Sequence, residues 1–327
     1  MTCQNHKKLL FLEPFSENLT SVLRQHGYKI YNEAAIPDSD FPLIRGLFTK
    51  LDRKVDDSLL RKLSNLRFVV VPTTGTSHLD RMVMHDRNIQ IISLRDPGSP
   101  IHSFTSTSEV FLWLLISMLR KANLAAKEVS AGTWNRNNFI GTNIAGKKIG
   151  IVGLGRLGRQ VANLCRALGM IVIGYDIDKE SKFSENLTFA DNLEELIAKA
   201  EIISIHVDDR EENKNLINDT FLLQCHGTLL VNTSRGFITD ESAVVRALKN
   251  GNLCGYATDV LFDEGATGNW LHRNPIWQAM TSEELNVVIT PHIGGATQEN
   301  IYQSERFVIE RFLKSDCIHG SGGQWES

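Results

Sequence analysis

Three side chains suited to acid, base and anion chemistry stand just past three apolar runs in the second half of the chain. Arg235 follows GTLLVNTS, Glu264 comes after GYATDV, a run that contains Asp259, and His292 follows NVVITP. A histidine of near-neutral pKa is suited to take the proton of a hydroxyl as its carbon is oxidised. A carboxylate on the other ring nitrogen fixes the tautomer and stabilises the imidazolium. A guanidinium can grip a substrate carboxylate and polarise a developing carbonyl oxygen. Each residue also has a plainer role: a Pro-His turn for His292, a surface pair with Asp240 for Arg235, a solvated position in the acidic loop FDEG for Glu264. Their joint occurrence at successive strand ends favours hydride transfer from a carbon bearing a hydroxyl.

Such residues work together only if their strands are neighbours ending at one crevice, and the stretch KIGIVGLGRLGRQVANLCRALGMIVIGYD, Lys148 to Asp176, supplies the frame. Ile149, Ile151 and Val152 read as a buried parallel strand. Gly153, Gly155 and Gly158 follow in G-x-G-x-x-G spacing, for the turn, the approach to a pyrophosphate and the packing of helix on strand. The helix is read with an apolar stripe of Leu157, Val161, Leu164 and Leu168 and a stop at Gly169. A second strand, Ile171 to Tyr175, ends in Asp176, whose carboxylate can accept both ribose hydroxyls of NAD and would repel the extra phosphate of NADP. NAD is the expected cofactor.

Around this unit the chain alternates strand and helix. Lys8–Leu12, Tyr28–Ile30, Leu43–Leu47, Phe68–Val71 and Ile89–Ile92 are expected strands. The helices between them are Glu17–His26, capped by Ser16, then Val55–Leu63 and Asp80–His85. A long helix is expected from Thr105 to near Gly132, with its core FLWLLISML buried in the fold or against a partner. Past the glycine unit, Glu201–His206, Gly227–Asn232, Gly255–Val260 and Asn286–Thr290 bring the larger sheet to about six strands. Asn192–Lys199, Asp219–Gln224 and Asp240–Asn250 are the helices between them. The last helix, Gln298 to Leu313, is expected to return to the first domain, and the tail HGSGGQWES reads as disordered.

The chain has 327 residues, enough for about two domains, with 42% hydrophobic and 22% charged residues and a formal charge of -3. That charge offers no general attraction to nucleic acid or anionic membrane. Cys3, Cys165, Cys225, Cys254 and Cys317 show no metal-ligand or redox spacing, so reduced thiols and no metal site are expected. No signal-peptide pattern opens the chain and no apolar run spans a bilayer, so a cytoplasmic location is expected.

The motifs GIVGLGRLG, VNTSRG, ATDVLFDE and TPHIGG occur in the order and spacing of the D-isomer-specific 2-hydroxyacid dehydrogenases, which the chain resembles from about Leu43 to Gln298, and within them the D-3-phosphoglycerate dehydrogenase branch. The resemblance implies an α/β fold: a doubly wound Rossmann dinucleotide-binding domain, 103–297, plus a smaller flavodoxin-like substrate-binding domain made of 1–102 and 298–327. It implies Arg235, Glu264 and His292 as the catalytic triad, and Arg156, Leu157, Asp176, Thr233 and Asp259 as NAD contacts with the three glycines. The turn TTGTSHLD is similar to the family's substrate loop, which implies Thr74 and Gly75, with Arg235, as substrate-binding residues. A homodimer built on the helix from Thr105 is implied as well.

The chain departs from the family pattern in three places. SLRDPGSPIHSFTSTSEV replaces the usual Asn-x-Pro and Ser-Val-Ala-Glu pattern, Gly265 stands for a proline after Glu264, and Val207 and Asp208 follow His206 without one. Nothing after the last helix suggests the serine feedback of longer relatives. Lys50, Arg53 and Arg136 are candidate phosphate partners, or solvated cations. The expected activity is NAD-dependent interconversion of a D-2-hydroxy acid and its 2-oxo acid, with 3-phosphoglycerate foremost. The alternatives are hydroxypyruvate, glyoxylate, glycerate or lactate, an erythronate-4-phosphate enzyme, and an NAD-sensing protein similar to the family's transcriptional co-repressors.

Overall fold

The computed structural model describes residues 7–51, 53–76, 78–178, 187–264, 266, 268–281 and 285–320, with 318–320 as backbone only. It divides into two compact units, residues 1–104 with 297–327 and residues 105–296.

The first unit holds a five-stranded parallel sheet. Its strands are β1 (Lys8–Phe11), β2 (Lys29–Asn32), β3 (Ile44–Phe48), β4 (Phe68–Val70) and β5 (Gln90–Ile92), in the order β2-β1-β3-β4-β5, which is the flavodoxin-like order. The helices between them are α1 (Glu17–Gln25), α2 (Asp57–Lys62) and α3 (Arg81–Asp86). Ser16 stands at the start of α1, but its side chain makes no cap bond; its hydroxyl donates 2.6 Å to Glu305 instead. A cap needs the hydroxyl oxygen turned to accept from the helix N–H groups, and donation to a charged carboxylate turns it elsewhere.

The second unit begins with α4 (Ser106–Arg120) and α5 (Ala122–Ser130), where one long helix was expected. Lys121 breaks it in the left-handed region at φ 51°. Before the break Phe111, Leu114, Leu115 and Met118 are buried; after it no residue of α5 is, so packing no longer directs the helix to continue along its axis. Then come β6 (Lys148–Val152), α6 (Arg156–Ala167), β7 (Ile171–Tyr175), β8 (Thr188–Phe189), α7 (Leu193–Lys199), β9 (Ile202–Ile205), α8 (Asp219–Leu222), β10 (Thr228–Asn232), α9 (Glu241–Asn250), β11 (Leu253–Thr258), α10 (Trp270–Arg273), α11 (Pro275–Thr281) and β12 (Val287–Ile289). The seven strands are all parallel, in the order β12-β11-β10-β9-β6-β7-β8. Counted from β6 this is the doubly wound order, with one added strand at the end. β8 is the strand the apolar pattern did not reveal, since two residues carry no period. The apolar face of α6 also differs from the expected stripe. Val161, Ala162 and Cys165 are buried with Gly158, while Leu157 and Leu164 are half-buried.

The final helix, α12 (Gln298–Gly320), runs seven residues beyond the expected Leu313 and belongs to the first unit. Phe312 is buried edge-on against Phe48 and Phe68, with ring centroids 5.2 and 5.4 Å apart, and Asp316 accepts from Tyr28 and from Arg45. His319 and Gly320 of the expected disordered tail lie in this helix; the rest of that tail and Gly265 lie outside the described residues. Among the described residues, no helix is long and apolar enough to cross a membrane, and no His, Cys, Asp and Glu cluster could hold a metal ion.

Candidate active site

The second unit's sheet places the ends of β6, β7, β9, β10, β11 and β12 on one edge, because all its strands run in the same direction. The glycine turn after β6 is held by Gly153 N–H donating 2.8 Å to Tyr175 O. Gly153 has φ 91°, and a β-carbon on it would lie 2.7 Å from the His206 carbonyl oxygen. A β-carbon on Gly158 would lie 1.9 Å from the Gly153 carbonyl oxygen, so turn and helix are in backbone contact there. Gly155, by contrast, has no heavy atom within 4 Å of where its β-carbon would be.

Asp176 closes the same turn. Its carboxylate accepts 2.6 Å from the Leu154 N–H and 2.9 Å from the Asp178 N–H, which sets it at the end of β7 beside the glycines. Arg156 and Leu157 open α6; burial lowers the Arg156 pKa from its ordinary value. Thr233 is buried after β10, and its hydroxyl has no hydrogen-bond partner among the described residues. These residues fit NAD. The bare side of Gly155 at a helix N-terminus admits a pyrophosphate, Asp176 suits ribose hydroxyls, and Thr233 carries an unanswered polar atom.

His292 and Glu264 meet. Imidazole Nδ1 lies 2.7 Å from Glu264 Oε1, leaving Nε2 as the ring's other proton site. His292 occupies the left-handed region at φ 52°, rare for a residue with a β-carbon. Its backbone N–H donates to the carbonyls of Asp259 at 2.9 Å and Thr290 at 3.0 Å. Asp259 is 1% exposed, and its carboxylate accepts from the Thr290 hydroxyl at 2.5 Å, from Ile293 N–H at 2.8 Å and from Gly294 N–H at 2.7 Å. Burial raises its pKa against the effect of those bonds. Ser106 and Thr107 of α4 hold the same loop from the other side, their hydroxyls donating 2.6 and 3.0 Å to the Gly294 carbonyl.

Arg235 follows Ser234, whose carbonyl accepts from its Nη1 at 2.7 Å. It does not make the surface pair with Asp240 considered above; Asp240 caps α9 through Ala243 N–H at 3.0 Å and lies 3.9 Å from Arg246. Gly236 fixes the next step. A β-carbon there would lie 2.1 Å from the Leu261 carbonyl carbon and oxygen, so the Arg235 turn and the segment leading to Glu264 touch through their backbones. Gly236, Ser106, Thr290 and the buried Glu241 have no catalytic spacing in the sequence. The one available signal was the D-E pair of FITDES at a helix start, which reads as an ordinary cap.

In the first unit, Thr74 and Gly75 form a turn after β4. The Thr74 carbonyl accepts from Arg95 Nε at 2.7 Å and the Gly75 carbonyl from the Thr73 hydroxyl at 2.8 Å. A trans peptide aims its N–H opposite to its C=O, so the N–H groups of Gly75 and Thr76 point away from those partners. Two of the candidate phosphate cations are engaged by acids. Lys50 Nζ lies 2.8 Å from Glu305 Oε1, outside well-angled hydrogen-bond geometry and so mainly electrostatic, and Arg53 Nη2 lies 2.7 Å from Glu33. Arg136, in the second unit, is exposed.

The chain is 30% identical over 299 residues to the D-3-phosphoglycerate dehydrogenase of Archaeoglobus fulgidus, covering 89% of this chain and 54% of that one. It thus spans about half the length of that relative. It is 27% identical over 309 residues to the glycerate dehydrogenase of Methylorubrum extorquens, covering 90% and 91%. The crystal structure of the TT0316 protein from Thermus thermophilus has the same fold, with a TM-score of 0.77 and 26% identity over 94% of this chain and 96% of that one. The profile of the D-isomer specific 2-hydroxyacid dehydrogenase NAD binding domain matches residues 112–294, more than half of the chain. The chain therefore belongs to the D-isomer specific 2-hydroxyacid dehydrogenase family, and this stretch is its NAD-binding domain.

Proposed function

We propose that the protein is an NAD-dependent oxidoreductase that interconverts a D-2-hydroxy acid and its 2-oxo acid, with 3-phosphoglycerate and 3-phosphohydroxypyruvate as the pair it serves. The observation that carries the activity is the 2.7 Å pairing of His292 Nδ1 with Glu264, which leaves Nε2 to exchange a proton. When bound, the nicotinamide supplies the two-electron chemistry, exchanging a hydride with the substrate's C2. His292 removes the hydroxyl proton at Nε2 during oxidation and returns it during reduction, while Glu264 stabilises the imidazolium. Arg235 holds the substrate carboxylate and draws charge onto the C2 oxygen. Gly153, Gly155, Arg156, Leu157, Gly158, Asp176 and Thr233 hold the cofactor, Asp259 fixes the His292 loop, and the turn at Thr74 and Gly75 offers backbone N–H to the substrate.

The relatives named D-3-phosphoglycerate dehydrogenase support the phosphorylated substrate. A second reading, an unphosphorylated acid such as glycerate, is favoured by the acids that engage Lys50 and Arg53. NADH oxidation with phosphohydroxypyruvate, hydroxypyruvate, glyoxylate and pyruvate decides between them. Turnover highest with phosphohydroxypyruvate supports the first, and none with any 2-oxo acid overturns the activity. Trp113, Ile116, Leu124, Val129, Trp134 and Ile140 expose apolar surface along α4, α5 and the residues after them. That surface is the proposed face of a homodimer.

A further inference from the structure

Glu241 is a buried acid that none of these steps uses. It opens α9 immediately after the capping Asp240 and is 7% exposed. Its Oε1 accepts the Phe262 N–H at 2.8 Å and its Oε2 accepts from Asn274 Nδ2 at 2.5 Å. Asn274 is itself buried, and its carbonyl oxygen accepts from Ile276 N–H at 2.9 Å and Trp277 N–H at 3.1 Å at the start of α11. One carboxylate thus ties both ends of the segment 262–274, and Glu264 lies two residues from one tie. The backbone contact at Gly236 braces the same end from the Arg235 side.

We propose that Glu241 is a positioning residue that holds Glu264 within hydrogen-bonding reach of His292, and that the hold is released when Glu241 takes up a proton. The proposal rests on the reading of Glu264 and His292 as the acid-base pair. Both carboxylate oxygens face N–H donors, so a proton on either would point at a donor and one tie would be lost. Burial pushes this carboxyl up to about 7; the bonds from Phe262 and Asn274 oppose the shift, and the charges of Asp263 on the loop and Asp240 on the same helix add to it. Buried Tyr256 of β11 is the other titratable group coupled to it. Release therefore falls on the acid side of neutrality.

The test is amide hydrogen exchange of the peptide containing Phe262 in the full chain with NADH, from about pH 6 to about pH 8.5 and corrected for intrinsic rates. Protection is expected to drop as the pH falls through about 7. The drop should persist in His292→Asn and vanish in Glu241→Gln, in which one tie is absent at every pH. Kinetically, Glu241→Gln should lose on the order of 10- to 100-fold in kcat, with KM for NADH little changed. Protection that ignores pH in the wild type, or a Glu241→Gln enzyme with wild-type kcat, overturns the proposal. Should Glu241→Gln fail to fold, the wild-type and His292→Asn exchange curves decide it. An active His292→Asn enzyme would instead overturn the acid-base reading beneath it.

Discussion

The carboxylate of Asp259 and the backbone N–H of Gly294 lie 2.7 Å apart, and this bond, with those from Ile293 and Thr290, suspends the turn that presents His292 from a buried acid. A histidine at positive φ persists only where its surroundings over-determine it, and three donors to one carboxylate do so. In Asp259→Asn one oxygen becomes an amide donor, and at least one of the three donors loses its acceptor. Urea unfolding should show a loss of about 1–3 kcal/mol. The fall in kcat should exceed any rise in KM for NADH. If contact with the nicotinamide were the main role of Asp259, NADH affinity would drop while the unfolding midpoint stayed in place.

Replacing His292 by Asn keeps a polar side chain of similar size and removes the proposed proton carrier. Turnover should fall on the order of 100- to 10,000-fold. NADH binding, followed by fluorescence titration, should stay close to wild type, because the residues proposed to hold the cofactor lie on the turn after β6 and at the ends of β7 and β10. A matching loss of cofactor affinity would argue against His292 as the proton carrier.

At the end of β7, Asp176 is fixed by two backbone N–H groups beside the glycine turn. Asp176→Ala removes both the acceptor proposed for the ribose hydroxyls and the charge proposed to repel a 2′-phosphate. The ratio of kcat/KM for NADH over NADPH should shrink about 10-fold or more, in line with the loss of hydrogen bonds to a charged group. An unchanged ratio would show that some other residue sets the preference.

Glu241 gives a pH dependence of global stability as well as of the loop. Its pKa in the folded chain is raised from the usual carboxylate range to about 7. Between the unfolded value of about 4.3 and about 7 the native state therefore holds a proton that the unfolded state has released. Stability from this group is greatest below that window and declines as pH rises through it, by roughly 4 kcal/mol in all. Glu241→Gln cannot titrate, so its stability relative to wild type should improve between pH ~5 and pH ~7.5. Parallel stability curves for the two proteins would remove Glu241 as the source.

The larger sheet and the residues proposed for chemistry at its strand ends were legible because their signals are local. A β-branched run, a glycine turn and a terminal Asp fit within Lys148 to Asp176, and Arg235, Glu264 and His292 each sit just past an apolar strand. What holds those residues in place was not legible. Asp259 meets Gly294 across 35 positions, Glu241 meets Asn274 across 33, and Gly236 is pressed on Leu261 by tertiary packing. Ser16 and Lys121 show the opposite limit. There a good local signal, a helix cap and an unbroken helix, yielded to a distant carboxylate and to the end of buried packing.

The cations weighed for phosphate binding now divide by their partners. Lys50 faces Glu305, which is 1% exposed and whose second oxygen already accepts the N–H and hydroxyl of Ser16 at 2.8 and 2.6 Å. Removing Lys50 leaves that acid without its counter-charge, which is a stability effect before it is a substrate effect. Lys50→Ala should therefore lower stability by about 1–3 kcal/mol, less than for a fully buried pair because the lysine is part-exposed, and should raise KM for phosphorylated and unphosphorylated acids alike. Arg136 is exposed, and no such acid engages it in the ion pairs described. If it meets a phosphate, Arg136→Ala should raise KM for phosphohydroxypyruvate about 10-fold or more, the loss of a charge-assisted contact, and leave hydroxypyruvate nearly unaffected. Equal changes for the two acids in both variants would move the substrate assignment to an unphosphorylated acid.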